Sequence, residues 1–416
     1  MKNNNILKNI VSLYGFTIAK LVFPLITLPY LMRVLSLDAY GVVSYVKTII
    51  SYIQIIIDFA FVVSGTKDIV LAKNDINKIN KETSVIMFSR LLLSCCALLF
   101  LIILIFVLPL LHNYRVYTLL SFFTPLLSIF LFDYVFRGVE KMEVITIRFF
   151  IMKSITTLLT FVFVKNDSTV IYIPILDIIS SLIAVALAFY ELNKLNIHPF
   201  AFFPSFSECI SKLKNSFTYF ASNVANIAFN SINTLLIGFL LSARDIAYWG
   251  ICIQIVNSIQ NMYNPIIDGL YPEMIKTKNF SHIKRALSFI MPLILIGCVF
   301  TFFVSKKALV IIGGLKYEDA SLCLNALIPV MFFGFPSMLF GWTTLGSIGK
   351  EKQVTFSLIL SAIFQLFFIV VLIFTNNYTL LNISILRSVT EIVLCLSRLF
   401  YILKYKALFS DVSYEQ

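Results

Sequence analysis

From Phe217 to Leu241 the chain reads FTYFASNVANIAFNSINTLLIGFLL, a run without a single charge. Its length suits one helical crossing of a bilayer, which takes about 20 residues. Within it Asn223, Asn226, Asn230 and Asn233 recur at intervals of 3, 4 and 3, which puts all four on one helical face. Hydrocarbon cannot satisfy an amide's two donors and its carbonyl, so that face must meet protein, water or a hydroxyl-rich ligand. The stretch predicts a membrane helix with a polar inner edge, and so a bundle with something inside it.

The rest of the chain extends the first half of that reading. The 416 residues are 59% hydrophobic and 13% charged, with a mean hydropathy of +0.92, which excludes an ordinary soluble domain. Apolar runs predict an all-α polytopic membrane protein of twelve helices, over residues 7–32, 40–63, 85–111, 116–136, 145–164, 170–192, 216–241, 247–270, 287–311, 321–345, 354–374 and 380–403. The first run follows Lys2 and Lys8 and lacks a small-x-small cleavage site, so it reads as a retained helix rather than a signal peptide. With the N-terminus inside, 21 Lys and Arg residues fall on the inner side and 7 on the outer, while Lys20, Lys47, Arg90, Arg387 and Arg398 lie within spans. The net charge of +12 is thus a positive-inside signal, not a nucleic-acid surface, and both termini are predicted to be cytoplasmic. Seven cysteines without a C-x-x-C pair read as small core residues, and three isolated histidines offer no metal site. No Walker loop and no nucleophile with a placed base emerges, so no catalytic residue is expected.

Residues 193–215, with Pro199 and Pro204, divide the chain into an N-terminal bundle over 1–192 and a C-terminal bundle over 216–416. Ser205 to Lys214 within this linker could lie along the membrane surface as an amphipathic helix. A shift of 206 lays Leu35-Ser36 on Leu241-Ser242, and a shift of 210 lays Ile56-Ile57-Asp58 on Ile266-Ile267-Asp268. An even number of spans per half makes these parallel repeats, two six-helix bundles related by a pseudo-twofold axis along the membrane normal. The 206 shift also lays the four asparagines over Thr17, Lys20, Pro24 and Thr27. One bundle then offers an uncharged wall and the other a cationic, proline-kinked one.

Two further stripes correspond under the repeat. Ser44, Lys47, Ser51, Gln54 and Asp58 share a face of the second span, and Gln254, Asn257, Asn261, Asn264 and Asp268 share one of the eighth. Buried amides can serve as glue between helices for about 0.6 kcal/mol each. Three stripes of four or five residues ask for more than glue, because each unpartnered polar group in hydrocarbon costs several kcal/mol, and they favour a water-filled cavity. Lys20 and Lys47 lie deep in their spans, where a charge costs at least about 2.5 kcal/mol, and read as a cationic patch facing that cavity. Arg90, near an inner end, reads as snorkelling, and Arg387 and Glu391 are i, i+4 neighbours able to neutralise each other. The buried acids Asp58, Asp177 and Glu391 suit either proton or sodium coupling or the pairing of buried bases. Pro24 and Pro29 interrupt the first span, Pro265 the eighth, Pro292 the ninth and Pro336 the tenth, each a place for a bend.

Leu28-Pro29-Tyr30-Leu31-Met32-Arg33-Val34-Leu35 with Tyr40-Gly41, Phe136-Arg137-Gly138-Val139-Glu140-Lys141-Met142, and Tyr271-Pro272-Glu273-Met274 resemble the Wzx-type O-antigen flippases. These belong to the polysaccharide transport group of the multidrug/oligosaccharidyl-lipid/polysaccharide exporter superfamily. Arg137 departs from the amide expected at its place. The resemblance implies two bundles around a cavity open alternately to either face, moving undecaprenyl-diphosphate-linked oligosaccharide from the cytoplasmic to the periplasmic leaflet of a bacterial inner membrane. It further implies lipopolysaccharide assembly partners such as a polymerase and a chain-length regulator, and no cofactor beyond an H+ or Na+ gradient. On this reading Lys20, Lys47 and Arg387 attract the diphosphate. Asn223, Asn226, Asn230, Asn233, Gln254, Asn257, Asn261, Asn264 and Gln54 line the sugar path, and Asp58, Asp177 and Glu391 are the candidates for ion coupling. A multidrug antiporter of the same superfamily is the alternative, with a more aromatic and acidic cavity. A membrane glycan polymerase or ligase would need a large periplasmic loop, and no intervening segment here is long enough to supply one.

Overall fold

A computed structural model describes residues 2–72 and 75–409, with side chains for all of these except 2–14, 21, 218, 219, 221–232, 268 and 272. Every regular element among them is helical. The chain forms two compact units, residues 1–239 and 240–416. The first contains α1 (Lys2–Val34), α2 (Leu37–Asp58), α3 (Phe61–Leu71), α4 (Ile76–Val107), α5 (Pro109–Asn113), α6 (Arg115–Ser128), α7 (Asp133–Gly138), α8 (Met142–Phe163), α9 (Tyr172–Lys194) and nearly all of α10 (Phe206–Leu240). The second contains α11 (Ala243–Asn261), α12 (Asn264–Thr277), α13 (Phe280–Gly313), α14 (Ala320–Ala326), α15 (Ile328–Met338), α16 (Glu351–Phe374) and α17 (Leu380–Lys404).

Ten stretches of the described residues are long and apolar enough to cross a bilayer, and each falls on one of the twelve predicted runs. The other two runs correspond to α10, whose side chains at 218, 219 and 221–232 lie outside the described set, and to α11 with α12. α11 carries Asp245, Gln254, Asn257, Gln260 and Asn261, which lower its apolarity, and it stops at Asn261 ahead of Pro265. Large apolar side chains point outward along α4 and α13: Leu99, Ile103, Phe106, Phe289, Phe300 and Phe303 are exposed. Serines, threonines and arginines are buried inside, as expected of a solvent that is itself apolar.

The second, fourth, eighth and tenth predicted spans are all interrupted. α2 gives way to α3 at Phe59 and Ala60, and α6 to α7 through a 3-10 turn, Ile129–Leu131. α11 gives way to α12 at Met262-Tyr263, and α15 runs into a π-helical segment, Leu339–Leu345. The breaks thus fall on corresponding members of the two repeats. Proline position predicted only part of this. α1 stays helical through Pro24 and Pro29, and α13 through Pro292, whereas Pro265 and Pro336 adjoin real breaks.

Contacts at one end of the first unit fix its helix register. Tyr30 Oη donates to the carbonyls of Phe161 and Val164 at 3.0 and 2.8 Å, and the Ser36 amide donates to Asp167 Oδ1 at 2.8 Å. The orphaned carbonyls at the end of α8 are thereby satisfied by a motif residue of α1. At the opposite end Gly138 lets α7 close on α3, since a Cβ there would lie 2.5 Å from the Ile69 side chain. Ser205 and Glu208 form a capping box at the start of α10, with the Ser205 amide 2.9 Å from Glu208 Oε2. Cys95 and Cys96 are exposed on α4, not core residues; the other five cysteines are buried, and all seven are free.

Candidate functional site

Two adjoining chambers of about 320 and 330 Å3 lie inside the first unit. They share Lys20, Gln54, Thr124 and Phe149 as wall residues. α1, α2, α6, α8 and α9 line both, and α4 adds Arg90 to one. Depth follows from helix rise. Lys47 is ten residues from the start of α2 and Lys153 ten from the end of α8, so both sit about 15 Å below the end where α1 meets α2. Lys20, Gln54 and Arg148 come next, and Asp58 and Asp133 lie at the far end.

The walls carry five basic residues, Lys20, Lys47, Arg90, Arg148 and Lys153, and three acids, Asp58, Asp133 and Asp177. Each acid is paired. Asp58 meets Arg90, Asp133 meets Arg148, and Asp177 lies 3.8 Å from Lys153 Nζ. Two cations remain. Lys20 sits over the Phe16 ring at 4.3 Å, and among the described residues neither it nor Lys47 has a carboxylate within ion-pair distance. Both are exposed to the interior space. A lysine within a span costs at least about 2.5 kcal/mol, so an unpaired pair of them marks a place that water or an anion fills.

The floor is a hydrogen-bonded network. Arg90, buried on α4, donates to the carbonyls of Ile57 and Ser128, both at 3.3 Å, to Ser128 Oγ at 3.2 Å and to Asp58. Gln54 Nε2 donates to Asp58 Oδ1 at 2.9 Å and to Ser128 Oγ at 2.8 Å. Arg148 donates to the Leu131 carbonyl at 2.6 Å and to Asp133, with its guanidinium 5.6 Å from the Phe136 ring centroid. Arg90 therefore does not snorkel. Its nearest polar partners lie inward, at the ends of two helices that need donors. Arg148 and Lys153, which the positive-inside reading places among the 21 inner-side basic residues, lie inside α8 and on the cavity wall.

Of the residues singled out from sequence, Lys20, Lys47, Gln54, Asp58 and Asp177 come together in this cavity. The side chains of Asn223, Asn226, Asn230 and Asp268 lie outside the described set, and Asn233 is buried. Gln254 and Asn264 are half-buried on the second unit, Asn257 and Asn261 are exposed, and Asn264 Nδ2 lies 3.4 Å from Asn261 Oδ1. Arg387 and Glu391 are buried in the second unit and joined at 2.9 Å, so the i, i+4 pairing open to them is made. Sequence reasoning passed over Asp133, Arg148 and Lys153. Their signal was weak but present: an acid closing one apolar run, and two bases inside another.

A family model described as "Polysaccharide biosynthesis protein" matches residues 6–278. Among curated proteins, a candidate O-antigen transporter of Escherichia coli strain K12 is 22% identical over 375 residues, 87% of this chain and 88% of that protein. A candidate O-antigen transporter of Shigella dysenteriae is 24% identical over 400 residues, 93% and 98% of the two chains. Among solved structures, the lipid II flippase MurJ in an inward closed conformation is similar with a TM-score of 0.71 at 13% identity, over 95% of this chain and 87% of that one. An inward-facing multidrug resistance MATE transporter of the MOP superfamily is similar with a TM-score of 0.70 at 13% identity, over 96% and 98%. At that identity the likeness is one of fold.

Proposed function

The chain belongs to the polysaccharide biosynthesis protein family, and on that premise we propose that it is a flippase for an undecaprenyl-diphosphate-linked oligosaccharide, the O-antigen repeat unit. It carries the head group from the cytoplasmic to the periplasmic leaflet of a bacterial inner membrane by alternating access. The observation that carries this reading is the pair of lysines, Lys20 and Lys47, without carboxylate partners in a cavity deep within membrane helices. A diphosphate supplies the charge they lack, and Thr124 with the Gln54 side-chain carbonyl offers hydrogen bonds to sugar hydroxyls. The names given to the curated relatives support the same substrate class. An inside-negative potential favours outward movement of such a head group by roughly 2.3 kcal/mol per charge per 100 mV, so coupling to H+ or Na+ through Asp58, Asp177 or Glu391 is supplementary.

The test is surface glycan in a strain lacking the protein and complemented with variants. Lys20→Ala and Lys47→Ala are each expected to cut surface glycan by about tenfold or more, the scale of losing one charge-assisted contact. Full glycan with both variants would overturn the cation assignment. Unchanged drug susceptibility on deletion separates the flippase from a multidrug exporter.

A further inference from the structure

Two membrane helices of the first unit break, and both breaks are closed in the same way. α2 ends at Asp58, and Phe59 and Ala60 follow with φ of 42° and 57°, a left-handed conformation sparsely populated by residues other than glycine. On the other chain segment Phe132, with φ of 53°, precedes Asp133 at the start of α7. α3 packs against α7. At each break an arginine from another helix donates both to an orphaned carbonyl and to the adjacent aspartate. Arg90 takes Ile57 O and Asp58, and reaches across to Ser128 O. Arg148 takes Leu131 O and Asp133.

The second unit closes its breaks differently. At the α11–α12 break Tyr263 is itself the donor, its Oη reaching the Met331 carbonyl inside α15 at 2.9 Å. Beside the π-helical segment, Arg398 donates to the Ser337 carbonyl at 2.6 Å and to Ser357 Oγ at 3.2 Å. Among the described residues no carboxylate completes either closure. Among the described residues the arginine–aspartate form occurs where the charged cavity is, and all four of its charged side chains line the chamber of about 320 Å3, whose wall includes Lys20. The aspartates are the accessible members, with side chains 32% exposed against 6% and 4% for the arginines.

We infer that Arg90 and Arg148 are positioning residues that act as anion-released clasps. A diphosphate held at Lys20 competes with Asp58 and Asp133 for the two guanidiniums. Arginine binds phosphate and carboxylate through the same planar fork, and a diphosphate brings more charge than either aspartate. Drawing the arginines into the chamber strips the donors from Ile57, Ser128 and Leu131, so both breaks loosen together. Ligand binding then favours a bent state through a differential contact, as any ligand-driven shift requires. The inference rests on reading the cavity as a diphosphate site.

The experiment is amide hydrogen exchange on the full chain in lipid nanodiscs, with farnesyl diphosphate as the probe and farnesol as the uncharged control. Residues 57–63 and 129–136 are expected to exchange about tenfold faster with the diphosphate and at an unchanged rate with farnesol. In Asp58→Asn and Asp133→Asn the exchange is expected to be fast already without probe, with little further gain. Binding is followed separately as a rise in melting temperature that Lys20→Gln with Lys47→Gln abolishes. If the probe raises the melting temperature but leaves both segments unchanged or slower, the arginines are static braces and the inference is overturned while the substrate reading stands. If the probe has no effect on melting temperature, the substrate reading falls and the clasps fall with it. The unsubstituted protein decides between these outcomes even if the asparagine variants do not fold.

Discussion

Arg90 is the single residue on which most of the cavity floor depends. Its guanidinium serves carbonyls from two helix ends and one carboxylate, so removing it leaves several acceptors without a donor at once. Breaking a buried pair from one side costs about 3 to 5 kcal/mol, and the lower end applies because the Asp58 side chain is 32% exposed to the cavity. Arg90→Met is expected to destabilise the protein by about 3 kcal/mol in detergent. The double variant Arg90→Met, Asp58→Leu should recover part of that, because no uncompensated charge remains. Equal losses in the single and double variants would show that the carbonyls, not the ion pair, dominate.

Helix ends and helix breaks supply the next scale. Gly341 sits in the π-helical segment, and a Cβ there would come 3.0 Å from Arg398 Nη1, which donates to the Ser337 carbonyl. Gly341→Ala should therefore crowd that guanidinium and lower stability by about 1 to 3 kcal/mol, read as a drop in melting temperature, even though alanine favours an ordinary helix. A gain in stability would mean the segment reverts to an α-helix at no cost. At the start of α10 the Glu208 carboxyl is held below the usual carboxylate range by the Ser205 amide and then by Lys81. A depressed carboxylate contributes stability above its unfolded pKa that is lost as pH falls through the folded value. Limited proteolysis at residues 198–205 is expected to accelerate below the ordinary carboxylate range in the unsubstituted chain. In Glu208→Ala, which removes the acceptor, it should be fast at neutral pH and lose that acid-dependent step.

For the whole molecule, orientation is the open quantity that lysine and arginine counts address. With Arg148 and Lys153 assigned to the cavity, the inner flank keeps a large excess of basic residues, so the predicted sense is unaltered. Alkaline phosphatase fused after Asn166 is expected to be active, since that segment should lie outside, and fused after Lys278 to be inactive. The reverse pattern would invert the direction of the proposed transport. Both loops adjoin described helix ends, α8 to α9 and α12 to α13, so neither fusion interrupts a crossing.

Sequence alone determined the class of the molecule: a membrane protein of about a dozen helices, with lysines placed within its spans. Hydropathy and the 3.6-residue period are local properties, and a bilayer leaves the backbone few alternatives to a helix. Which charges meet was not legible there. Asp58 lies eleven residues from Lys47 on α2, too far along the helix for the two to pair, so its partner had to come from another segment, and Arg90 could have reached for headgroups. Packing of α2, α4 and α6 instead brings Arg90 to Asp58 and leaves Lys47 to the cavity. The breaks in α2 and α6 were equally hidden, because no proline or glycine marks Phe59, Ala60 or Phe132. Ion pairing and helix interruption depend on donors arriving from segments tens of residues away, so only the tertiary structure could decide them.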